Sequence, residues 1–135
     1  MNLMLGQKEL DRIHHSLKKN LIDIGAQSSM LIDTAGNIIA VVNNGSDIRD
    51  VYSLAALAAA NFGAMNSMAK IVGEDEFSLL FHKGRTENIH LSKVNRDFLL
   101  INIFTNQLSL GFLRMKVAEV IKDLLGILVA KKPAN

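Results

Sequence analysis

Between residues 7 and 21 the apolar side chains Leu10, Ile13, Leu17 and Leu21 recur three or four places apart, with Lys8, Asp11, Arg12, Lys18 and Lys19 among them. That spacing gathers the apolar set on one face of a helix, predicted over 5–22. The period then shortens: SSMLIDTAGNIIAVV holds two aliphatic, β-branched runs around Asp33 to Asn37. Gly36 and Asn37 tolerate the positive φ of a tight turn, so a hairpin is predicted within 26–43. EFSLLFH, IHLSKV and DFLLINIFT add three short strands within 76–105, their connections marked by Gly84 and by Asn95 to Asp97. The last strand alternates Phe98, Leu100 and Phe104 with Leu99, Ile101 and Ile103. Apolar on both sides, it belongs in the centre of a sheet covered on both faces. Ser109 can cap a helix over 109–130, in which Leu110, Leu113, Val117, Val120, Ile121, Leu124 and Leu128 form one stripe.

The stretch between the hairpin and the third strand is different. From Val51 to Ala69 no side chain is charged, and seven of the nineteen residues are alanine. A helix is predicted over 48–72, and at 100° per residue Val51, Leu54, Leu57, Phe62, Met65, Met68 and Val72 fall in one arc, the set expected to pack on the sheet. The opposite arc carries Ala55, Ala56, Ala59, Ala60, Gly63, Ala64 and Ser67, where an ordinary surface helix has Lys and Glu. A membrane span of this length would leave Ser53, Asn61, Asn66 and Ser67 to be satisfied in lipid. A core helix rich in alanine for its propensity explains neither the missing charges nor Gly63, which costs about 1 kcal/mol against alanine in a helix interior. A face of small residues that admits another chain closely accounts for both, so Ala56, Ala59, Ala60, Gly63, Ala64 and Ser67 are the candidate partner-binding residues.

The element order is thus α-β-β-α-β-β-β-α. The simplest assembly is an α+β fold, a five-stranded, mainly antiparallel sheet with helices on both faces. A length of 135 residues suits a single domain over 1–135. If the third strand, 76–82, is a sheet edge, Phe77, Leu79 and Phe81 make it adhesive, and pairing with its own copy about a two-fold axis would satisfy it.

Composition removes several function classes. Fifteen basic and thirteen acidic residues give a net charge of only +2, which supplies no concentrated field for nucleic acid. Without cysteine there is no disulfide, thiolate metal site or cysteine nucleophile, and a reducing, cytoplasmic setting is expected. The N-terminal MNLMLGQKELDR lacks the basic and apolar segments of a secretory signal, so the mature chain is expected to begin near Met1. No G-x-x-x-x-G-K-[ST] loop is present, and no serine sits in a nucleophile elbow. His14 and His15 are adjacent on a helix, about 100° apart, and cannot easily share a metal. His82 and His90 could face one another across a hairpin as a cross-strand pair. No catalytic residue, cofactor or metal is expected.

The Ala-rich helix, IVGEDEF, the HKG and NIH tripeptides at His82 to Gly84 and Asn88 to His90, SLGFLRMKV and the hairpin with Asp33 and Gly36 come in an order and spacing that resembles the roadblock (dynein light chain) family, in particular its MglB-like bacterial branch. The resemblance implies a homodimer whose sheets join edge to edge through the third strand, with the second helices side by side. It also implies binding of a small Ras-like GTPase in its GTP-bound form and stimulation of GTP hydrolysis without an inserted arginine. The alternative within the family is a scaffold or adaptor that does not activate. Met65, Asn66 and Ser67 stand where relatives often carry small Gly or Thr residues, a departure that bears on the partner.

Overall fold

The computed structural model describes residues 5–45, 50–74 and 79–130. Helix α1 (Gln7–Leu17) runs on through one π-helical turn at Lys18–Ile22 into strands β1 (Ser28–Asp33) and β2 (Ile38–Asn43). Helix α2 (Val51–Ile71) follows, then β3 (Leu79–Lys83), β4 (Glu87–Lys93), β5 (Phe98–Thr105) and α3 (Leu110–Ala130). All five strands form one antiparallel sheet in the order β2-β1-β5-β4-β3. The α+β order read from the sequence is the observed one, with β5 central and β3 at an edge.

Local chemistry explains the turns. The Asp33 carboxylate accepts hydrogen bonds from the backbone N–H of Ala35 and Asn37 and from Asn37 Nδ2, at 2.9–3.0 Å, closing the β1–β2 connection on itself. Gly36 in that turn has φ +91°, a backbone conformation that L side chains rarely adopt. At the start of α3, Ser109 Oγ accepts from the Phe112 N–H at 3.1 Å, the cap expected from sequence.

The two faces of β5 build two cores. Phe98, Leu100 and Phe104, with Leu31 of β1, pack against Ile13 and Leu17 of α1 and Leu113, Val117, Val120 and Leu124 of α3. Leu99 and Ile101, with Met30 and Ile32 of β1, pack against Ala55, Ala58, Ala59 and Phe62 of α2. At about 1.5–3 kcal/mol for each fully buried large aliphatic side chain, these two layers hold the sheet between its helices.

The facing of α2 departs from the arc expected on the helical wheel. Ala55 and Ala59, expected outside, lie buried on the sheet, whereas Leu57, Met68 and Val72, expected inside, are 69%, 55% and 69% exposed. The inner interface takes its bulk from the strands and from Phe62, and its alanines let the helix lie close. A Cβ on Gly36 would stand only 3.0 Å from the Ala56 Cα, so the hairpin turn presses against the helix backbone. Val51, Leu54 and Met65 of the expected arc pack, partly buried, beside Phe62, so the helix is rotated from the expected facing and not reversed: Ala55, Ala58 and Ala59 lie within, and Leu57, Met68 and Val72 lie without.

The histidine pair is also corrected. Phe81 is opposite His90 and His82 is opposite Ile89, so the two imidazoles fall on opposite faces of the sheet. His82 meets Asn61 of α2, whereas His90 is buried on the face covered by α1 and α3. The described part of the third strand starts at Leu79, and Phe77 lies outside the described residues.

Candidate functional site

Helix α2 begins at a strong cap. The Asp50 carboxylate accepts from the Ser53 hydroxyl at 2.7 Å and from the Ser53 N–H at 3.1 Å. These bonds hold its pKa below the ordinary carboxylate value and fix the first turn. From there to Ile71 the only charged side chain is Lys70. Everything that α2 turns outward before its last turn is neutral.

The outward surface divides into two strips by spacing and by neighbours. Leu57, Asn61, Ala64, Met68 and Ile71 follow one another at intervals of four, three, four and three residues, and all are exposed. Asn61 Nδ2 lies 3.1 Å from His82 Nε2, which sets this strip on the side of the edge strand β3. Ala56, Ala60, Gly63 and Ser67 form the second strip, also exposed, on the side where Ala56 meets the β1–β2 turn. Ser67 Oγ donates to the Gly63 carbonyl at 3.2 Å, and a Cβ on Gly63 would have nothing within 4 Å. The second strip is therefore flat, uncharged and open.

The first strip is apolar in a way that single surface residues are not. Ile71 is 84% exposed, and Leu57, Met68 and, at the C-cap, Val72 are also exposed large hydrophobics, while exposed Tyr52 precedes Ala56 by one turn at the start of the second strip. Their concentration on one element marks an interaction surface. Beside it, β3 bonds to β4 on one side and has no strand on the other among the described residues. Leu79 is 37% exposed at its start. Phe81, half-buried, stacks on Phe104 with ring centroids 6.1 Å apart on the α1–α3 face.

Of the residues singled out from sequence, Ala56, Ala60, Gly63, Ala64 and Ser67 come together on the outer surface of α2, Ala64 in the strip on the side of β3 and the other four on the side of the β1–β2 turn. Ala59 does not join them, because it packs on the sheet. The large members Leu57, Met68 and Ile71 were not among the expected site residues, although their four-three spacing is written in the sequence. Among the described residues no three His, Asp or Glu side chains cluster in a way that could hold a metal ion. Likewise, no described helix is long and apolar enough to cross a membrane.

The model of the Roadblock/LC7 domain matches residues 21–104, from the π-helical turn to the end of β5. The chain belongs to the Roadblock/LC7 family. Its fold follows that of Myxococcus xanthus MglB with a TM-score of 0.88 and 29% identity, over 98% of this chain and 99% of that one. It is similar also to the gliding protein mglB of Thermus thermophilus, with a TM-score of 0.86 and 25% identity, over 95% and 96% of the two chains. An uncharacterized protein of Aquifex aeolicus (strain VF5) is 26% identical over 127 residues, 92% of this chain and 77% of that protein. This roadblock protein therefore carries α1 and α3 in the arrangement seen in MglB, beyond the segment matched by the family model. It is a roadblock-domain protein similar in fold to MglB along nearly its whole length.

Proposed function

We propose that this roadblock protein is a cytoplasmic homodimer that binds a small Ras-like GTPase in its GTP-bound form and activates it by acting on its switch conformation. The observation that carries the reading is the continuous uncharged outer surface of α2 beside the open edge of β3. The family resemblance and the likeness to MglB support it.

Within that surface the two strips suit different partners. The strip of Leu57, Asn61, Ala64, Met68 and Ile71 is contiguous with β3 and has the alternating three-and-four spacing of a helix–helix seam, so it is assigned to the second copy. The edge of β3 extends that contact by strand pairing, with Leu79 and Phe81 on the sheet face away from α2. The flat strip of Ala56, Ala60, Gly63 and Ser67 is assigned to the GTPase, since short side chains there leave the backbone of α2 accessible to a switch loop. Ala64 lies at the boundary.

The experiment is a pull-down of the purified GTPase loaded with a GTP or a GDP analogue, coupled to single-turnover hydrolysis. Preferential capture of the GTP form with faster hydrolysis is the expected result. Equal capture of both forms with an unchanged rate would make the protein a scaffold instead, and no capture of either form would remove the GTPase from the proposal.

A further inference from the structure

Beneath α3, on the face of the sheet opposite α2, four polar side chains interrupt the apolar core. Ser29 of β1 stands opposite Asn102 of β5, and Asn102 stands opposite His90 of β4. The three form one row across three strands, on the face that also carries Leu31, Leu100 and Phe104. Ser92, two residues beyond His90, shares that face. All four residues are at least 95% buried, with Ser29 and Asn102 fully so. Ser29 Oγ, both amide atoms of Asn102, both ring nitrogens of His90 and Ser92 Oγ have no hydrogen-bond partner among the described residues.

Six such atoms in one neighbourhood are not a tolerable accident. Each buried donor or acceptor left unpaired is strongly unfavourable, and native interiors leave very few. Of the helices above, α3 turns Leu113, Val117, Val120 and Leu124 towards the core, and Arg114, whose charge is felt at His90, forms no hydrogen bond with either ring nitrogen. Ser16, the buried hydroxyl of α1, is already bonded to Asp123 Oδ2 at 2.9 Å.

The chemistry of the row defines what fits it. Asn102 offers two donors and an acceptor, a neutral imidazole offers one of each, and every serine hydroxyl can do both. A cation would satisfy only the acceptors and an anion only the donors. The partner must donate and accept, be neutral and be small. Directly opposed residues in an antiparallel sheet have Cβ atoms about 4.5–5.5 Å apart. Ser29 Oγ, the Asn102 amide and the His90 ring project from such positions without bonding to one another, and a small molecule held between neighbours would bond to both.

We infer that the Ser29–Asn102–His90 row is an internal water site, with one water bridging Ser29 to Asn102, a second bridging Asn102 to His90, and Ser92 bonded to the same chain. The bound water belongs to the fold, on the face away from the proposed GTPase contact, so the inference stands or falls independently of that reading.

The test is a high-resolution crystal structure of the full chain together with water-to-protein cross-relaxation in solution. Ordered waters at both positions are expected, with cross-peaks from long-lived water to protons of Ser29, Asn102 and His90. Ser29→Ala should abolish the first water and keep the second, and Asn102→Leu should abolish both. A direct bond between the Asn102 amide and the His90 ring with no water between them would overturn the inference. So would water cross-peaks that persist unchanged in Asn102→Leu. If Asn102→Leu does not fold, the wild-type crystal structure and Ser29→Ala decide the matter alone.

Discussion

Gly36 and Gly63 are chemically identical, and their surroundings give opposite expectations for the same substitution. Gly36 combines a positive φ with a Cβ position 3.0 Å from the α2 backbone, so Gly36→Ala is expected to destabilise the chain by more than about 1 kcal/mol. Gly63 lies inside a helix with open space around it, so Gly63→Ala should stabilise the isolated protein by up to about 1 kcal/mol. Urea unfolding of both variants checks the pair, and shifts of the same sign would refute the described placement of α2. His90 adds a pH dependence. Burial first, and the nearby positive charge of Arg114 second, lower its pKa from 6.5 to about 4. Between those values the unfolded chain binds a proton that the folded one refuses, so this contribution to stability is complete above pH 6.5 and is lost as pH falls towards 4. A shift of that size corresponds to roughly 3 kcal/mol. Urea midpoints measured from pH 7.5 to 4 should fall less steeply in His90→Leu than in the wild type, and parallel curves would mean that His90 titrates normally in the fold.

The contrast between β5 and α2 shows which signals were legible in the sequence. In β5 every residue except Asn102 and the terminal Thr105 is large and apolar on its face, so the pattern alone specifies a central strand, and the structure has it. The small-residue face of α2 was legible as an unusual composition, but its direction was not. Wheel reasoning sends large apolar residues inward, which holds for Val51, Leu54, Phe62 and Met65 and fails for Leu57, Met68 and Val72, while Ala55 and Ala59 fill the narrow gap on the sheet. The open edge of β3 was implied by the family resemblance and entered the reading of the residues only as a condition, while its contact with α2 through Asn61 and His82 depends on a tertiary placement that no local pattern encodes. The buried row under α3 was illegible for a related reason: Ser29, Asn102 and His90 lie far apart in sequence and meet only through strand register. For α2 the two strips make a separable prediction. Gly63→Arg or Ser67→Arg places a long charge on the flat strip and should weaken GTPase binding at least about a hundredfold, or roughly 2.7 kcal/mol, with the dimer intact. Met68→Arg, on the strip beside β3, should instead yield monomers. Calorimetry and sedimentation distinguish these effects, and loss of the dimer in Ser67→Arg would reassign the flat strip to self-association.

The sheet divides the molecule into a side covered by α2 and a side covered by α1 and α3, and that division bears on the proposed mechanism. A dimer built through β3 and α2 should bury at least about 1,600 Å², and light scattering at micromolar concentration should give twice the chain mass of 14.8 kDa. A monomer mass would remove the assembly on which the GTPase contact depends. Given that dimer, an activator can insert an arginine beside the γ-phosphate or select a switch conformation in which the GTPase's own groups are aligned. The described arginines are poorly placed for insertion. Arg12 on α1 and Arg114 on α3 belong to helices that cover the face opposite α2, while Arg85 and Arg96 lie in the turns before β4 and β5. Arg49 precedes α2 in sequence and lies outside the described residues, so substitution must test it. Single changes to alanine at all five positions should each alter the stimulated hydrolysis rate by less than about tenfold, whereas an inserted arginine contributes about 10³ to 10⁵. A loss on that larger scale in any one variant, with the GTP-loaded partner still bound, would make this protein a direct participant in the chemistry. Arg49 and Arg85 are the positions to measure first, because one adjoins the proposed contact helix in sequence and the other follows the edge strand.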